Sequence, residues 1–215
     1  MSGTSGRRFE GKMRAVHRRT VPLLLAALAA CAHAPAAPTS APPAAAPAAD
    51  PTAYFPLAIG NEWTWLDRSP QAGPGGAKRR TVRIVARDKD GFYVDDARGA
   101  LRVANGCIQD QVRRILCAPF DLDRSWSSVV SETSTERYQI AAVGVVATVP
   151  AGTFDGCVLV RGRTRAAEDA EMILETTYAP GVGPVRIETF ALVNGRRIPQ
   201  VQAELASYRI ERTPR

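Results

Sequence analysis

From Tyr54 onward, apolar and polar residues alternate with a period of two, in short runs broken by turn residues. That is the pattern of half-buried strands. Glu62–Leu66 sets Trp63 and Trp65 on one side and Glu62 and Thr64 on the other. Thr81–Arg87 alternates Val82 and Ile84 with Arg83 and Arg87 opposed, and Asp88-Lys89-Asp90-Gly91 reads as the turn before Phe92-Tyr93-Val94. Asn105-Gly106 is the strongest hairpin signal in the chain, because both central positions of a type I′ turn need φ above zero. Val112–Leu116, with a tip at Asp110-Gln111, then Tyr138–Val149, Cys157–Arg161, Met172–Tyr178, Val185–Phe190 and Val201–Ile210 continue the series. Ala166–Glu175 has the composition of a helix, and strand is expected only from Met172, where Thr176-Thr177-Tyr178 takes over. The pattern predicts an all-β domain, a single strongly curved antiparallel sheet forming a half-open β-barrel.

The amino end follows another rule. Val21–Ala30 is apolar, preceded by His17-Arg18-Arg19 and closed by Cys31. It is too short to span a bilayer core, which needs roughly 20 helical residues, and fits a secretion signal instead. Leu28-Ala29-Ala30-Cys31 resembles the lipobox of bacterial lipoproteins. The resemblance implies cleavage after Ala30, lipidation of Cys31 and a protein attached to a membrane by acyl chains. Ala32 in place of the Asp of inner-membrane retention favours the outer membrane, facing the periplasm or the exterior. Met13 is an alternative start to Met1, giving a shorter basic region. Residues 32–53 are nearly all Ala and Pro, with six prolines from Pro35 to Pro51, and read as a disordered tether. The expected organisation is a signal over 1–30, a lipidated linker over 31–53 and a β domain over 54–215.

Composition changes the charge picture once the chain is divided. The whole carries 28 basic and 21 acidic side chains, a net of +7 that invites a nucleic-acid reading. Residues 1–30 hold six of those basic groups and one acid, so +5 of the +7 leaves with the signal. What remains is close to neutral, and no nucleic-acid partner is expected.

Four segments carry a resemblance. They are Tyr54-Phe55-Pro56-Leu57 with Gly60-Asn61-Glu62-Trp63; Ala118-Pro119-Phe120 with Ser125-Trp126; Pro150-Ala151-Gly152-Thr153-Phe154; and Tyr178-Ala179-Pro180-Gly181-Val182-Gly183. In order and spacing the domain resembles the TapB-like group of secreted bacterial proteins, which is similar to the LolA/LolB-type curved sheets of the periplasm. The resemblance implies a concave face able to hold something apolar, and it implies no catalytic residue. No helix is apparent to fill that face, which departs from the lipoprotein-carrier pattern. The same segments have plain structural readings: Gly152 meets a backbone demand in a turn, Phe154 drops into the core, and Pro180-Gly181 and Gly183-Pro184 bracket a tight connection.

Candidate chemistry is sparse. Both histidines, His17 and His33, precede the domain, so triads that need an imidazole base and His-built zinc sites are not expected there. Asp88-Lys89-Asp90-Gly91 resembles a fragment of a calcium loop, but Gly99 stands where the closing Glu belongs. Asp95-Asp96, Asp121/Asp123 and Glu168-Asp169/Glu171 leave a carboxylate hydrolase as the weakest reading. No cofactor or metal is expected. In an exported chain Cys107, Cys117 and Cys157 are expected to pair, as Cys107 with Cys117 or as Cys117 with Cys157. Trp63, Trp65 and Trp126 read as core or as an apolar ligand face. The function expected is non-enzymatic binding or scaffolding, for an envelope protein partner, with a carrier or sensor of lipid or another apolar ligand beside it. An inner sheet face filled by side chains favours the scaffold and an unfilled one the carrier. Replacing Cys31 with Ser is expected to abolish labelled-palmitate incorporation and move the protein out of the membrane fraction on centrifugation.

Overall fold

A computed structural model describes residues 50–70, 73 and 76–211, all within one unit, Ala44–Arg215. The signal, Ala30, Cys31, both histidines and the linker up to residue 49 lie outside the described residues. After a 3-10 turn at Pro51–Ala53 come twelve strands. They are β1 Glu62–Arg68, β2 Lys78–Arg87, β3 Tyr93–Asp95, β4 Ala100–Ala104, β5 Cys107–Gln109, β6 Arg114–Cys117, β7 Ser125–Ser131, β8 Ser134–Val149, β9 Gly152–Ala167, β10 Ala170–Ala179, β11 Gly183–Val193 and β12 Arg196–Arg209.

They form one antiparallel sheet in the order β6-β5-β4-β3-β2-β1-β12-β11-β10-β9-β8-β7, curled until it is nearly a barrel with one unsealed seam. Strands adjacent in sequence are adjacent in space with one exception, β6 and β7, and one pairing joins strands distant in sequence. β1 pairs with β12, Glu62 opposite Arg209, and β6 and β7 are the two edges that meet at the seam. Three register shifts in the β8–β9 pair supply local bending, and Gly144, at φ +72 within β8, takes a conformation that a side chain would strain. Alternation works as the pattern predicts: Trp63 and Trp65 turn to the interior beside Val82 and Arg80, while Glu62 pairs with Arg83 on the outer side.

One end of the barrel is stoppered by the chain that leads into β1. The packed chain starts upstream of Tyr54, because the Asp50 carboxylate caps the 3-10 turn by accepting from Thr52 N and Pro51 is buried. Tyr54 packs edge-on against Phe120, with ring centroids 4.7 Å apart, and its hydroxyl donates to Gly156 O at 2.9 Å. Phe55 meets Trp63 and Tyr178, and the Trp63 indole donates to Val182 O at 2.7 Å. Gly181 N donates to Ala53 O. Three of the four segments that carry the resemblance therefore meet here, through Tyr54–Trp63, Phe120 and Tyr178–Gly183, while Ser125-Trp126 lies at the seam and Phe154 packs by Tyr208. Asn61 is fully buried: its amide donates to Pro56 O and accepts from Glu211 N, tying both ends of the described chain to the stopper.

Several expectations need correction. The stretch from Ala166 to Met172 is neither helix nor loop: β9 runs to Ala167, Glu168-Asp169 make the turn, and β10 starts at Ala170. The β9–β10 hairpin pairing and the ladder from β10 to β11 hold these helix formers extended, so pairing overrides propensity. The hairpin after Cys107 has a tip of Asp110–Arg113 rather than Asp110-Gln111, because Asp110 Oδ1 accepts from Val112 N and Arg113 N. Cys107 therefore lies opposite Cys117 instead of Arg114. β7 has too weak an alternation to be read from Ser125–Ser131. Phe154 does not enter the core but lies half-buried, its ring 6.0 Å from that of Tyr208.

The stopper makes Asn61 a sensitive position. Asn61→Ala leaves the half-buried Pro56 carbonyl and the Glu211 N–H without their partner and empties a fully buried site, and is expected to lower unfolding free energy by about 1–2 kcal/mol in a urea titration.

Candidate functional site

The inner face is not filled. A cavity of about 410 Å³ lies above the stopper. Phe55, Trp63 and Tyr178 form its floor, Trp65, Val82, Ile84 and Leu101 one wall, and Ile115, Tyr138, Val160 and Leu174 the other. The strands that line it contribute mainly through inward period-two positions, as at Trp63 and Trp65 or at Leu174, Thr176 and Tyr178, so the alternation that makes the sheet also makes the cavity largely apolar.

Three polar side chains also reach the wall, and each is committed elsewhere. Arg80 donates twice to the Asp67 carboxylate, at 2.7 and 3.1 Å, and lies over the Trp65 ring. Asp95 accepts from Ala97 N and Gly99 N and so fixes a turn; a Cβ at Gly99 would come within 2.3 Å of its carboxylate. The Thr176 hydroxyl is partnered with Tyr178. With these groups satisfied, the cavity offers a guest mainly hydrocarbon and aromatic surface.

A second lobe of about 310 Å³ adjoins the first and shares Ile115, Tyr138, Gly162 and Leu174 with it. Its rim is polar: Arg113 Nε donates to both oxygens of Glu136, and Tyr138 donates to the same carboxylate. Tyr138 crosses opposite Gly162, and a Cβ there would sit 3.0 Å from the tyrosine ring. The glycine makes room for the ring to lie flat against the wall. Burial first, and then the bond to Glu136, push the Tyr138 hydroxyl pKa up; burial does the same for Tyr178, partly opposed by Thr176. Burial also raises Tyr54, with Cys157 adding to it.

Of the residues singled out in the sequence, Trp63 and Trp65 line the cavity. Trp126 does not: it stacks behind Tyr138, ring centroids 5.8 Å apart and nearly parallel, at the seam. Cys107 and Cys117 are joined by a disulfide with Cα atoms 4.1 Å apart, and Cys157 is a buried thiol donating to Phe154 O. Pairing between Cys117 and Cys157 is absent because the longer tip sets Cys117 opposite Cys107. Burial raises the Cys157 pKa, which keeps it a thiol. Of the carboxylates, Glu168, Asp169 and Glu171 line one surface pocket together with Arg137, Arg163 and Arg165, and the others are held apart. Asp88 accepts from Asp90 N and Phe92 N, Asp96 from Arg83 N and Asp123 from Gln139, while Glu171 pairs with Arg163. Among the described residues, no group of three His, Cys, Asp or Glu side chains could hold a metal ion. Sequence reading missed Tyr138, Leu174 and Val160 as wall residues. Their signal was only inward alternation, which every core position shares.

No family model matches the chain, and no curated protein matches it. Two solved structures are similar. A candidate lipoprotein from Parabacteroides distasonis is 15% identical, with 73% of this chain and 98% of that one covered and a TM-score of 0.40. A candidate exported protein with YmcC-like fold from Bacteroides fragilis is 14% identical, with 73% and 99% covered and a TM-score of 0.43.

The raised tyrosines give stability a sign with pH. Their neutral forms are favoured in the folded chain, so this contribution is complete below a pH of about 10 and is lost as pH rises beyond it. Alkaline titration is expected to show tyrosinate absorbance from Tyr54, Tyr138 and Tyr178 rising together with loss of near-ultraviolet circular dichroism, rather than before it.

Proposed function

We propose that this protein is a lipid-anchored envelope protein that binds an apolar ligand inside its barrel and serves as a carrier or sensor. The observation that carries the reading is the unfilled inner face: an apolar cavity whose few polar wall groups already have partners. A pure scaffold gains nothing from such a void, because a packed interior stabilises and an empty one forfeits contacts. The volume lies in the range of about 300–1,000 Å³ typical of small-molecule sites. Each methylene moved from water into it contributes about 0.8 kcal/mol, so a single chain of medium length would offset the cost of association.

The signal-like segment, the lipobox-like Leu28–Cys31 and the Ala/Pro run support attachment at the outer membrane with the domain held on a tether. The hydrolase reading is not favoured: Asp88, Asp95, Asp96 and Asp123 are bonded locally, and Glu168, Asp169 and Glu171 share their surface pocket with arginines, one of which pairs with Glu171.

The test is native mass spectrometry of protein isolated from membranes in mild detergent. Retained ligand mass is expected in the wild type and loss of it in Leu174→Trp, which places an indole in the cavity where both lobes meet. A clean ligand-free mass from wild type, with no uptake of added fatty acid, would sink the proposal.

A further inference from the structure

We infer that the seam between β6 and β7 is a lateral port through which a single-chain amphiphile reaches the cavity, leaving its polar head at the seam; this rests on the binding reading above. Everywhere else around the barrel, described neighbours are joined by backbone ladders, which cannot part without breaking the sheet. At the seam, side chains do the joining. The Trp126 indole donates to Arg114 O at 2.6 Å, Arg114 N donates to Ser128 Oγ at 3.0 Å, and the Arg114 guanidinium donates to Ser127 O. The ion pair of Arg113 with Glu136 crosses the same gap. Side chains standing where ladder bonds would be can swing away by rotamer changes, with the flanking strands intact.

What lies behind the gap fits a port. Ile115 on one edge strand and Tyr138, against which Trp126 stacks, line both cavity lobes. The gap thus faces the cavity, not solid core. Its own lining is polar and charged, while the space behind it is apolar, the arrangement that suits a molecule with a hydrocarbon chain and a polar head. The chain 118–124 links the two edges next to the disulfide, with Phe120 buried against Tyr54. The seam is therefore fastened at the stoppered end and free to part from the other.

The alternative route is the open end of the barrel, where Asp67 and Arg80 pair, about half the strand circuit from the seam. The two routes separate in stopped-flow measurements of a dansyl-tagged fatty acid with the full chain carrying Cys31→Ser. Ser128→Ala combined with Trp126→Phe removes two of the bridging bonds and keeps the aromatic ring. Uptake and release are expected to quicken by the same factor, about tenfold, the equivalent of one or two hydrogen bonds. Asp67→Asn is expected to leave both rates unchanged. Should the double variant fail to fold, Glu136→Gln, which cuts the ion pair at constant volume, is expected to act in the same direction.

Unchanged rates in the seam variants overturn the port, as does acceleration by Asp67→Asn instead. A shift in affinity with no acceleration of uptake also overturns it, since those side chains would then contact the ligand's head without guarding its route. Failure of the wild type to take up the probe overturns both this inference and the binding reading.

Discussion

The floor of the cavity is held by one indole N–H that finds a carbonyl. Trp63 is buried at the floor of the barrel, where an unbonded donor would be costly, and its partner is Val182 O in the turn before β11. That turn brings Gly183, at φ +111, so close that a Cβ would lie 3.1 Å from the Trp63 nitrogen and 3.3 Å from Phe55. Phe55 in turn wedges against Trp63 and Tyr178. The indole, the glycine turn and the incoming segment thus hold one another, and they let the sheet curl around a void without collapsing into it. A barrel of this width with no such floor would be open at both ends.

Some of this was legible in the sequence and some was not, for physical reasons. Alternation at Glu62–Leu66 and Thr81–Arg87, and the positive φ values found at both Asn105 and Gly106, are local properties, and a local pattern reveals them. The conspicuous segments Tyr54–Trp63 and Tyr178–Gly183 were visible as motifs, but not that they pack together, because nothing short-range brings them into contact. β7 was hidden because its inward positions are Trp126 and Ser128, a pattern that hardly alternates. Asp110 extended a hairpin tip by capping two amides, which displaced Cys107 from its expected opposite. Trp126 was grouped with Trp63 and Trp65 by residue type, and the register of β7 on β8 sends it to the seam instead.

The cavity also shows how selectivity arises with few polar contacts. Arg80, Asp95 and Thr176 are all turned to internal partners, so a guest bearing a buried polar group would lose its hydration and gain little in return. On the binding reading proposed above, such a wall would discriminate by rejection, admitting apolar matter of the right bulk and leaving shape loosely specified. On the same reading, a polar head would find partners at the rim, around Arg113 and Glu136.

The strand order has a consequence for how the chain reaches this state. Read around the barrel it is an uninterrupted meander, and nearly every pairing joins segments that follow one another in sequence. The exception is Glu62–Arg68 on Arg196–Arg209, which closes a loop spanning almost the whole domain. Hairpins can form as the polypeptide emerges, but Trp63 and Trp65 acquire their second neighbouring strand only when the last strand arrives. Until then the first half of the sheet presents a bare edge and an apolar face, the combination that invites intermolecular pairing. Completion is thus gated by long-range contact order, so a truncation near the carboxyl end should be felt first at the tryptophans near the beginning.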